Sequence, residues 1–419
     1  MKLKNYLKTH FALLIVLFFT SCTNIYKQIE REPILEKRSF PAISQPDHTP
    51  TANNPRLIKK KIKIAALLPF SGKHKNLGET MLNSMTLSIF ENDPEGNIDL
   101  VLLDSNDMKN SAQEIINQKI SVVLGPIFSE NVKKLSSMLK GRDVTVISFS
   151  NNQSLVGTEG FFLMGFSPEQ EIERIIDYTI SSGDDNFAIV VPFNDYGRKF
   201  SSLFTAFVKN KGGNIISSKL YLNNTHLEKS VKEILNTFII SPEATEKNKE
   251  DITDEDKFYA NVIFIPESGK KLTKISNLIK KHNKEEREIQ IIGSSSWNNI
   301  STLNNPGLVG AWFASTSPDK YRNFEKRYYQ IYKKFPPKVS SLGFDAIFAV
   351  SSTILASKNR VLSKYDFTNY ASENNGFRGL DGLFRFLSNG LVQRNLAILE
   401  VQNGEFTIID QPAQQFFQY

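Results

Sequence analysis

Small hydroxyl and amide side chains follow several of the apolar runs in this 419-residue sequence. Groups of this kind can hydrogen-bond a small polar ligand, and the one tyrosine among them could form an aromatic wall of the same site. The residues are Ser71, Ser129, Ser150, Asn151, Asn152 and Tyr196. If the apolar runs are parallel strands, their carboxyl ends lie at one edge of a sheet, where helix N-termini also offer free N–H groups. The pattern therefore predicts a site for a small polar ligand.

These residues also have a purely structural interpretation. Ser129 is a good N-cap for a helix that begins near Glu130, because a serine oxygen accepts hydrogen bonds from the free N–H groups at a helix start. Asn151 and Asn152 could be simple loop residues, and Tyr196 could pack at a hinge. The sequence alone leaves both interpretations open.

Catalytic and metal-binding signatures are missing from the sequence. No two of the five histidines lie at metal-ligand spacing, and the HExxH, P-loop and GxSxG motifs are absent. Asp104 and Asp107 lie in the segment DSND, but two acids on a loop are ordinarily solvated. The formal net charge of +7 includes three lysines near the N-terminus, and the +4 that remains does not indicate nucleic-acid binding. We therefore predict no enzyme activity, no metal and no cofactor.

The only cysteine, Cys22, follows a short apolar stretch near the start of the chain. Three lysines precede residues 11–19, which are about half as long as the ~20 apolar residues that span a bilayer, so a secretory signal is indicated. The letters FTSC resemble a bacterial lipobox, with phenylalanine where leucine is usual. We predict a signal peptide at 1–21 and a diacylated Cys22 as membrane anchor; Thr23 rather than Asp after it favours the outer membrane. The alternative is ordinary signal cleavage with an incidental cysteine.

Residues 22–60 have the composition of a tether, and an alternation of strands and helices follows them. Five prolines interrupt this polar stretch, which would reach roughly 100 Å at ~3.1 Å per residue. From residue 62 onward, short apolar runs alternate with segments of helical spacing, which is typical of a parallel sheet covered on both faces. The alternation occurs twice, with a polar insertion at 241–257. Two sets suit two lobes, because single cores seldom exceed ~250–300 residues.

Five segments, in this order, resemble the type I periplasmic binding proteins of the Leu/Ile/Val-binding kind. They are LLPFSGKHKNLGETMLNSM, VLGPIFSENV, VISFSNN, VPFNDYG and LGFDAIFAV, and the resemblance covers most of residues 62–410. IGSSSW and GLDGLFRFLSNGLVQRNLAILEV are more closely similar to the penicillin-binding-protein activator (LppC-like) lipoproteins. The resemblance implies an α/β fold of two lobes, each a mostly parallel sheet flanked by helices, with a multi-crossover hinge. The implied N-lobe spans 62–166 and 317–385, and the implied C-lobe 167–316 and 386–419.

The resemblance also implies roles for individual residues. Ser129, Ser150 and Asn152 match positions that hold an amino acid's carboxylate, and Tyr196 matches an aromatic wall. The acid that pairs with the ligand's ammonium group in amino-acid receptors is missing, because its position falls at about Ser295. A desolvated ammonium without a partner costs several kcal/mol. This change therefore weakens the prediction of an amino-acid site.

Two functions are implied by the resemblance and the envelope signals. The first is a non-enzymatic periplasmic lipoprotein that regulates, as an activator, the peptidoglycan synthases known as penicillin-binding proteins. The alternative is a solute-binding receptor that delivers an amino acid of the Leu/Ile/Val kind, or a similar small molecule, to an ABC transporter. The long tether and the missing acid favour the first. In both cases the expected location is the periplasmic face of the bacterial envelope, with a lipid anchor in the outer membrane.

Overall fold

The computed structural model describes residues 61–240, 252–357, 363–372 and 375–416, which belong to one compact unit. The predicted signal peptide, Cys22 and the predicted tether lie outside the described residues, and so does most of the polar insertion.

Strands and helices alternate through most of the described chain, and antiparallel strands end it. The strands are β1 (Ile62–Leu68), β2 (Ile98–Asp104), β3 (Val122–Leu124), β4 (Thr145–Ser148), β5 (Phe161–Leu163), β6 (Asn186–Pro192), β7 (Asn214–Tyr221), β8 (Phe238–Ile240), β9 (Lys257–Tyr259), β10 (Val262–Ile265), β11 (Gln290–Gly293), β12 (Trp312–Ser315), β13 (Phe377–Gly379), β14 (Gly382–Phe386), β15 (Val392–Arg394), β16 (Ala397–Val401) and β17 (Phe406–Asp410). The α-helices are α1 (Lys75–Asn92), α2 (Met108–Asn117), α3 (Ser129–Met138), α4 (Pro168–Ser181), α5 (Asp195–Asn210), α6 (Asn224–Asn236), α7 (Gly269–His282), α8 (Ile300–Leu303), α9 (Pro318–Tyr332), α10 (Ser341–Ala356) and α11 (Lys364–Ala371).

The first lobe is built on a parallel sheet of five strands in the order β2-β1-β3-β4-β5. Every residue of β1 except Lys63 is buried, because helices cover both faces of the sheet. Helices α1 and α10 pack on one face, and α2 and α3 pack on the other. The loops that follow β1, β3 and β4 therefore meet at one edge of the sheet, which we call the first-lobe edge.

The second lobe is built on a seven-stranded sheet in the order β17-β16-β12-β11-β10-β6-β7. Five strands are parallel, and the hairpin β16–β17 adds two antiparallel strands at one side. Helices α4 and α5 pack on one face, and α6 and α7 pack on the other. The loops after β6, β10 and β11 form the second-lobe edge. The predicted α/β class, with mostly parallel sheets flanked by helices, is confirmed.

The chain passes between the two sheets three times: after β5, after β12 and after β15. The last passage differs from the predicted lobe bounds, which assign residues 386–419 to the second lobe. Phe386 pairs with Val392 across a hairpin, and both side chains pack in the core of the first lobe. The chain enters the second sheet only at Ala397. The predicted and observed bounds differ because the small antiparallel sheet β13-β14-β15 covers apolar side chains of the first lobe. Local sequence patterns do not encode such a long-range contact.

Helix α10 is apolar enough to be mistaken for a membrane span. The segment Lys338–Ala356 has a mean hydropathy of 1.6, and it is the one helix in the described ranges whose length and composition would allow a span. However, 72% of its apolar window is buried inside the protein, where it packs against α1. Gly343 permits this close packing, since a Cβ there would lie 3.1 Å from the carbonyl oxygen of Met81. We therefore assign α10 as a core helix of the first lobe.

Candidate functional site

Ser129 and Ser150 lie together at the first-lobe edge, as the strand order predicts. Their Oγ atoms are 3.0 Å apart and share one hydrogen bond. The structural alternative for Ser129 is wrong in detail: helix α3 begins at Ser129 itself, and the residue before it, Phe128, is the N-cap. The hydroxyl of Ser129 is therefore directed to Ser150 rather than to the free N–H groups of its own helix.

Asn151 and Asn152 follow Ser150 in a tight loop. Ser150 is buried, and its hydroxyl oxygen accepts a hydrogen bond of 3.2 Å from the Asn152 backbone N–H. The side-chain oxygen of Asn152 accepts from the backbone N–H of Ser154 at 3.2 Å and from its hydroxyl at 2.9 Å. Asn151 is exposed. Both asparagines thus belong to this loop, and Asn152 shapes its turn.

Ser71 also lies at the first-lobe edge, where the loop after β2 holds it. The Asn106 side-chain amide donates to the Ser71 carbonyl at 2.7 Å and to its hydroxyl at 3.2 Å. Burial alone would raise the pKa of Asp104, but hydrogen bonds from Ser71 and from backbone N–H groups outweigh it and lower that pKa. Asp107 caps α2. Both acids thus have structural partners, and in the described ranges no three His, Cys, Asp or Glu side chains form a metal-binding group.

Tyr196 lies at the second-lobe edge, in the first turn of α5. Its hydroxyl donates a 2.6 Å hydrogen bond to the carbonyl oxygen of Pro266, and its ring packs on Phe200 with centroids 4.5 Å apart. The side chain stays 43% exposed. Burial, with the nearby carboxylates of Glu267 and Glu171, raises the pKa of Tyr196 above its usual value, so the phenol stays protonated.

Glu267, in the loop after β10, is held by two aromatic residues of the same edge. The Tyr221 hydroxyl donates to its carboxylate, and the Trp297 indole N–H donates to its carbonyl oxygen at 2.8 Å. Burial and this carboxylate raise the pKa of Tyr221. Trp297 is fully buried beside Gly293, where a Cβ would lie 2.1 Å from the indole ring. This packing fixes the course of the loop after β11.

Ser295, in that loop, contacts a carboxylate that the sequence analysis missed. Its hydroxyl donates to Glu171 Oε1 at 2.6 Å, and its backbone N–H donates to Glu171 Oε2 at 3.1 Å. Glu171 is only 7% exposed. Burial raises its pKa to about 7, although the two bonds from Ser295 act in the opposite direction; the charge of Glu169 adds to the rise. We call Glu171 and Ser295 the cleft pair.

The cleft pair places an acid beside Ser295, the residue at which the sequence lacks one. Glu171 lies on α4, 124 residues before Ser295, so no local motif joins the two. One signal was available: Glu171 shares the apolar face of an amphipathic helix with Ile172, Ile175 and Ile176, all of which are buried. An acid on a buried helix face requires a partner, and this requirement marks it as a candidate site residue.

A small cavity lies beside the cleft pair, where the two lobes join. Its volume is about 30 Å³, enough for one or two water molecules. Phe166 and Lys338 line it together with Glu171, Ser295 and Thr316. A buried carboxylate that retains free lone pairs next to a water-sized cavity can accept further hydrogen bonds from water or from a cation.

A buried ionic cluster, which we call the hinge cluster, lies next to this cavity. It consists of Lys338, Asp345, Asp381 and Arg394. Lys338 and the hydroxyl of Ser341 both donate to Asp381, which is fully buried. Burial alone would raise the pKa of Asp381, but the charges of Lys338 and Arg394 outweigh it and lower that pKa.

Asp345 and Arg394 complete the hinge cluster. Asp345 accepts the backbone N–H of Leu380 at 2.7 Å, and Arg394 lies 3.8 Å from its carboxylate. Burial, together with the charge of Asp381, raises the pKa of Asp345. The guanidinium of Arg394 also lies over the ring of Phe384, 4.8 Å from its centroid. These contacts join α10, β13–β15 and the last passage between the sheets.

Type I periplasmic binding proteins consist of two α/β lobes between which the chain passes three times. This chain has the same architecture, and similar solved structures confirm the class. An ABC transporter substrate-binding protein from Sphaerobacter thermophilus is similar over 85% of this chain and 99% of its own, with a TM-score of 0.64 and 14% identity. The C-domain of LpoA (YraM) from Haemophilus influenzae, a regulator of PBP1A, is similar over 83% of this chain and 99% of its own, with a TM-score of 0.59 and 18% identity.

Within this class, the chain belongs to the family described as "LppC putative lipoprotein", whose sequence profile matches residues 42–317. A relative from Rickettsia prowazekii, the uncharacterized protein RP748, is 23% identical over 84% of this chain and 89% of its own length. The penicillin-binding protein activator LpoA of Vibrio cholerae is 24% identical over 42% of this chain, a match that spans 30% of the activator. The predicted resemblance to both groups is confirmed.

Proposed function

We propose that this protein is a non-enzymatic envelope lipoprotein that binds and regulates a penicillin-binding protein, a peptidoglycan synthase. Family membership and the LpoA relatives support this proposal. Only 30% of the Vibrio cholerae activator matches, so the regulatory role is transferred as a proposal and not as an inherited activity. Under it, Cys22 carries the lipid anchor in the outer membrane, residues 22–60 form a tether, and the two lobes form the partner-binding body.

One structural observation supports a regulator over a receptor more than any other. Most polar side chains that the sequence assigns to a ligand site are hydrogen-bonded within the protein. Ser129 bonds Ser150, Tyr196 bonds the Pro266 carbonyl, and Ser295 bonds Glu171. A receptor needs these groups for its ligand, and breaking each bond would cost roughly 0.5–1.5 kcal/mol. A protein that acts through its surface has no such cost.

The test is binding and activation of the partner. The full-length lipoprotein and a bifunctional penicillin-binding protein from the same organism are mixed in detergent, and both affinity and the rate of glycan-strand synthesis are measured. We expect saturable binding and an increased rate. An unrelated periplasmic binding protein of the same fold serves as the control. Absence of binding, or a rate that does not change when binding is saturated, would contradict the proposed function.

The anchor has a separate test. Replacing the thiol in Cys22→Ala removes the group that the lipid would modify. We expect wild-type protein to stay with membranes under a carbonate wash and the variant to be released. A matched control is Ser21→Ala, which keeps both a small residue before the cysteine and the thiol. Retention of the Cys22→Ala variant on washed membranes would exclude the lipid anchor.

A receptor for a small ammonium-bearing molecule is the second candidate, and the cleft pair favours it. Glu171 accepts two hydrogen bonds from Ser295, so it retains lone pairs that an ammonium group could use. The partly exposed side chain of Tyr196 lies at the same edge. A ligand at 100 times its Kd stabilises a folded protein by ~2.7 kcal/mol, which raises the Tm by a few degrees.

Thermal denaturation with a panel of amino acids, sugars and muropeptides separates the two candidates. A shift with one amino acid that disappears in Glu171→Gln would favour the receptor. Glu405→Gln changes the charge by the same amount at an exposed turn and is the matched control. No shift with any amino acid, together with activation of the penicillin-binding protein, would favour the regulator.

A further inference from the structure

Helix α7 of the second lobe has an unusual distribution of charge. Its sequence, GKKLTKISNLIKKH, contains five lysines and one histidine but no acidic residue. Lys281 and His282 contact Glu228 on the neighbouring helix α6. In contrast, Lys270 and Lys274 form no ion pair with a carboxylate in the part of the chain that the structure describes. One stripe of the helix therefore carries uncompensated positive charge.

This stripe lines a groove on the surface of the second lobe. Lys270 and Lys274 are one turn apart on one helix face, so they lie side by side. Lys281, which is paired with Glu228, also lines the groove. The groove has a volume of about 560 Å³, and Leu278 and Ser301 contribute to its lining. Its volume falls within the range of ~300–1,000 Å³ that is usual for ligand pockets. We call it the α7 groove.

The floor of the α7 groove is mainly apolar, although its rim is basic. Leu278 lies at the bottom, only 7% exposed, and the methylene stems of Lys270 and Lys274 add apolar surface. At the start of the helix, the Ser268 side chain makes no capping hydrogen bond, so N–H groups there are not satisfied by a cap. The groove thus offers an apolar floor and ammonium groups together.

These features favour one kind of occupant. Leu278 is only 7% exposed, so an occupant must insert an individual apolar side chain to reach it, and a glycan brings too little apolar surface to do so. An acidic peptide with apolar side chains meets both requirements, because its carboxylates can contact the lysines while its apolar side chains cover Leu278. We propose that the α7 groove is a docking site for an acidic, apolar-containing peptide segment of a protein partner. This docking proposal rests on the proposed function in one respect, because both require a protein partner.

The proposal is tested on the full-length protein with a defined probe. The probe is a fluorescein-labelled octapeptide of alternating glutamate and leucine, and binding is followed by fluorescence anisotropy. Octapeptides of glutamate with serine, and of lysine with leucine, test the need for apolar side chains and for negative charge. Phosphatidylglycerol vesicles and purified muropeptides test the two other anionic partners. We expect saturable binding of the glutamate–leucine peptide alone, weakened about tenfold between low salt and 0.5 M salt by charge screening.

The deciding variant is Lys270→Glu with Lys274→Glu. Lys270 lies in the first turn of α7, where an acidic residue is favourable, and neither lysine is buried, so α7 should remain folded. The matched control is Lys109→Glu with Lys209→Glu, which changes the net charge equally at two exposed lysines away from the groove. We expect about tenfold weaker peptide binding in the first variant and no change in the control, with both variants having wild-type circular dichroism.

Three outcomes would overturn the docking site. They are no binding of the glutamate–leucine peptide, equal weakening in both variants, or binding of vesicles or muropeptides in its place. The same two variants are then tested against the penicillin-binding protein. If wild-type protein does not bind that partner, the proposed function fails, whereas the peptide result still decides the groove. If it binds and the Lys270→Glu, Lys274→Glu variant binds equally well, the partner docks elsewhere and the groove's assignment as its docking site is wrong.

Discussion

Two buried carboxylates lie where the lobes join, and their partners differ in charge. Glu171 is 7% exposed and receives hydrogen bonds from the neutral hydroxyl and N–H groups of Ser295. Asp381 is fully buried and receives bonds from the Lys338 ammonium group as well as from Ser341. Burial acts on both carboxylates in the same direction. Nevertheless, the pKa of Glu171 is raised to about 7, whereas the pKa of Asp381 is lowered.

The comparison shows that the charge of the partner, more than the degree of burial, sets the ionisation of each site. A neutral donor only partly compensates the desolvation of a carboxylate, but an adjacent ammonium group can outweigh it. The Lys338–Asp381 pair of the hinge cluster therefore stays ionised near neutrality, whereas burial and the charge of Asp381 raise the pKa of Asp345 in the same cluster. The cleft pair changes its charge near pH 7. The Lys338–Asp381 pair is thus a fixed structural element, whereas the charge of the cleft pair changes with pH.

The largest effect is expected when the hinge cluster loses its cation. Lys338→Met keeps an apolar stem beside the ring of Tyr321, but it removes the cation that is bonded to the buried Asp381. Removing one partner of a buried ion pair costs about 3–5 kcal/mol. We expect a loss of this size in the free energy of unfolding at pH 7, measured by urea denaturation with tryptophan fluorescence.

The control for this change is Lys338→Met combined with Asp381→Asn. The second substitution removes the unpaired charge, so most of the lost stability should return. If the double variant is as unstable as the single one, packing around Lys338 and not the ion pair explains the loss, and the contrast between the two sites fails.

The next effect concerns pH and the cleft pair. The pKa of Glu171 is about 7 in the folded protein against an ordinary value of 4.5, so the folded state holds the proton more tightly. The stability that this proton contributes is complete below pH 4.5 and is lost as the pH rises through 7. The difference amounts to about 3 kcal/mol. Glu171→Gln stays neutral at every pH and should remove this dependence.

Urea denaturation at pH 5 and at pH 8 checks this prediction. We expect wild type and Glu171→Gln to be similar at pH 5 and the variant to be more stable by up to about 3 kcal/mol at pH 8. Glu405→Gln, at an exposed turn, should change neither value. Parallel pH profiles for wild type and Glu171→Gln would mean that Glu171 titrates at an ordinary pKa.

A smaller effect is expected from the neutral donor of the same pair. Ser295→Ala removes the 2.6 Å hydroxyl bond to Glu171 and keeps the backbone N–H bond. A hydrogen bond to a charged group contributes about 1.5–3 kcal/mol and a bond between neutral groups about 1 kcal/mol. We therefore expect a loss of about 2 kcal/mol at pH 8 and a smaller loss at pH 5. An equal loss of unfolding free energy at pH 5 and pH 8 would show that the Glu171 carboxylate does not ionise in this range. Ser296→Ala, at the next residue, is the control.

The smallest effect is expected at a site where both partners are neutral. Tyr196→Phe removes the 2.6 Å bond from the phenol to the Pro266 carbonyl while the ring stays on Phe200. The expected loss is about 1 kcal/mol, independent of pH between 5 and 8, because no charged group takes part in the bond. The measurement is the urea midpoint at both pH values. A pH-dependent loss would indicate that Tyr196 is coupled to Glu171.

Much of the fold was accessible from the sequence because its signals are local. A short apolar run gives the buried strand β1 (Ile62–Leu68), and the long apolar segment Ser341–Ala356 forms the core helix α10. Asparagine–glycine pairs marked the turns of the β14–β15 and β16–β17 hairpins, where Gly390 and Gly404 have φ values of +88° and +83°. Such patterns depend only on residues a few positions apart.

The candidate site was accessible only in part, for the same reason. The sequence predicted that Ser129 and Ser150 lie at one edge, because the carboxyl ends of parallel strands meet at the same edge of a sheet. The sequence could not indicate that Glu171 meets Ser295 or that Lys338 meets Asp381, because these partners come from separate elements. The amphipathic pattern of α4 contained an acid on its buried face, but it did not identify the partner.

Local chemistry in this chain thus determines which segments become strands, helices and turns, and which segments resemble a two-lobed binding protein. Tertiary structure alone determines the ionisation of its buried acids, the passage at which residues 386–394 join the first lobe, and which lysines of α7 meet a carboxylate among the described residues. The physical reason is the range of the interactions. Backbone preference and apolar periodicity act over a few residues, whereas desolvation and charge pairing depend on every group that folding brings within a few ångströms.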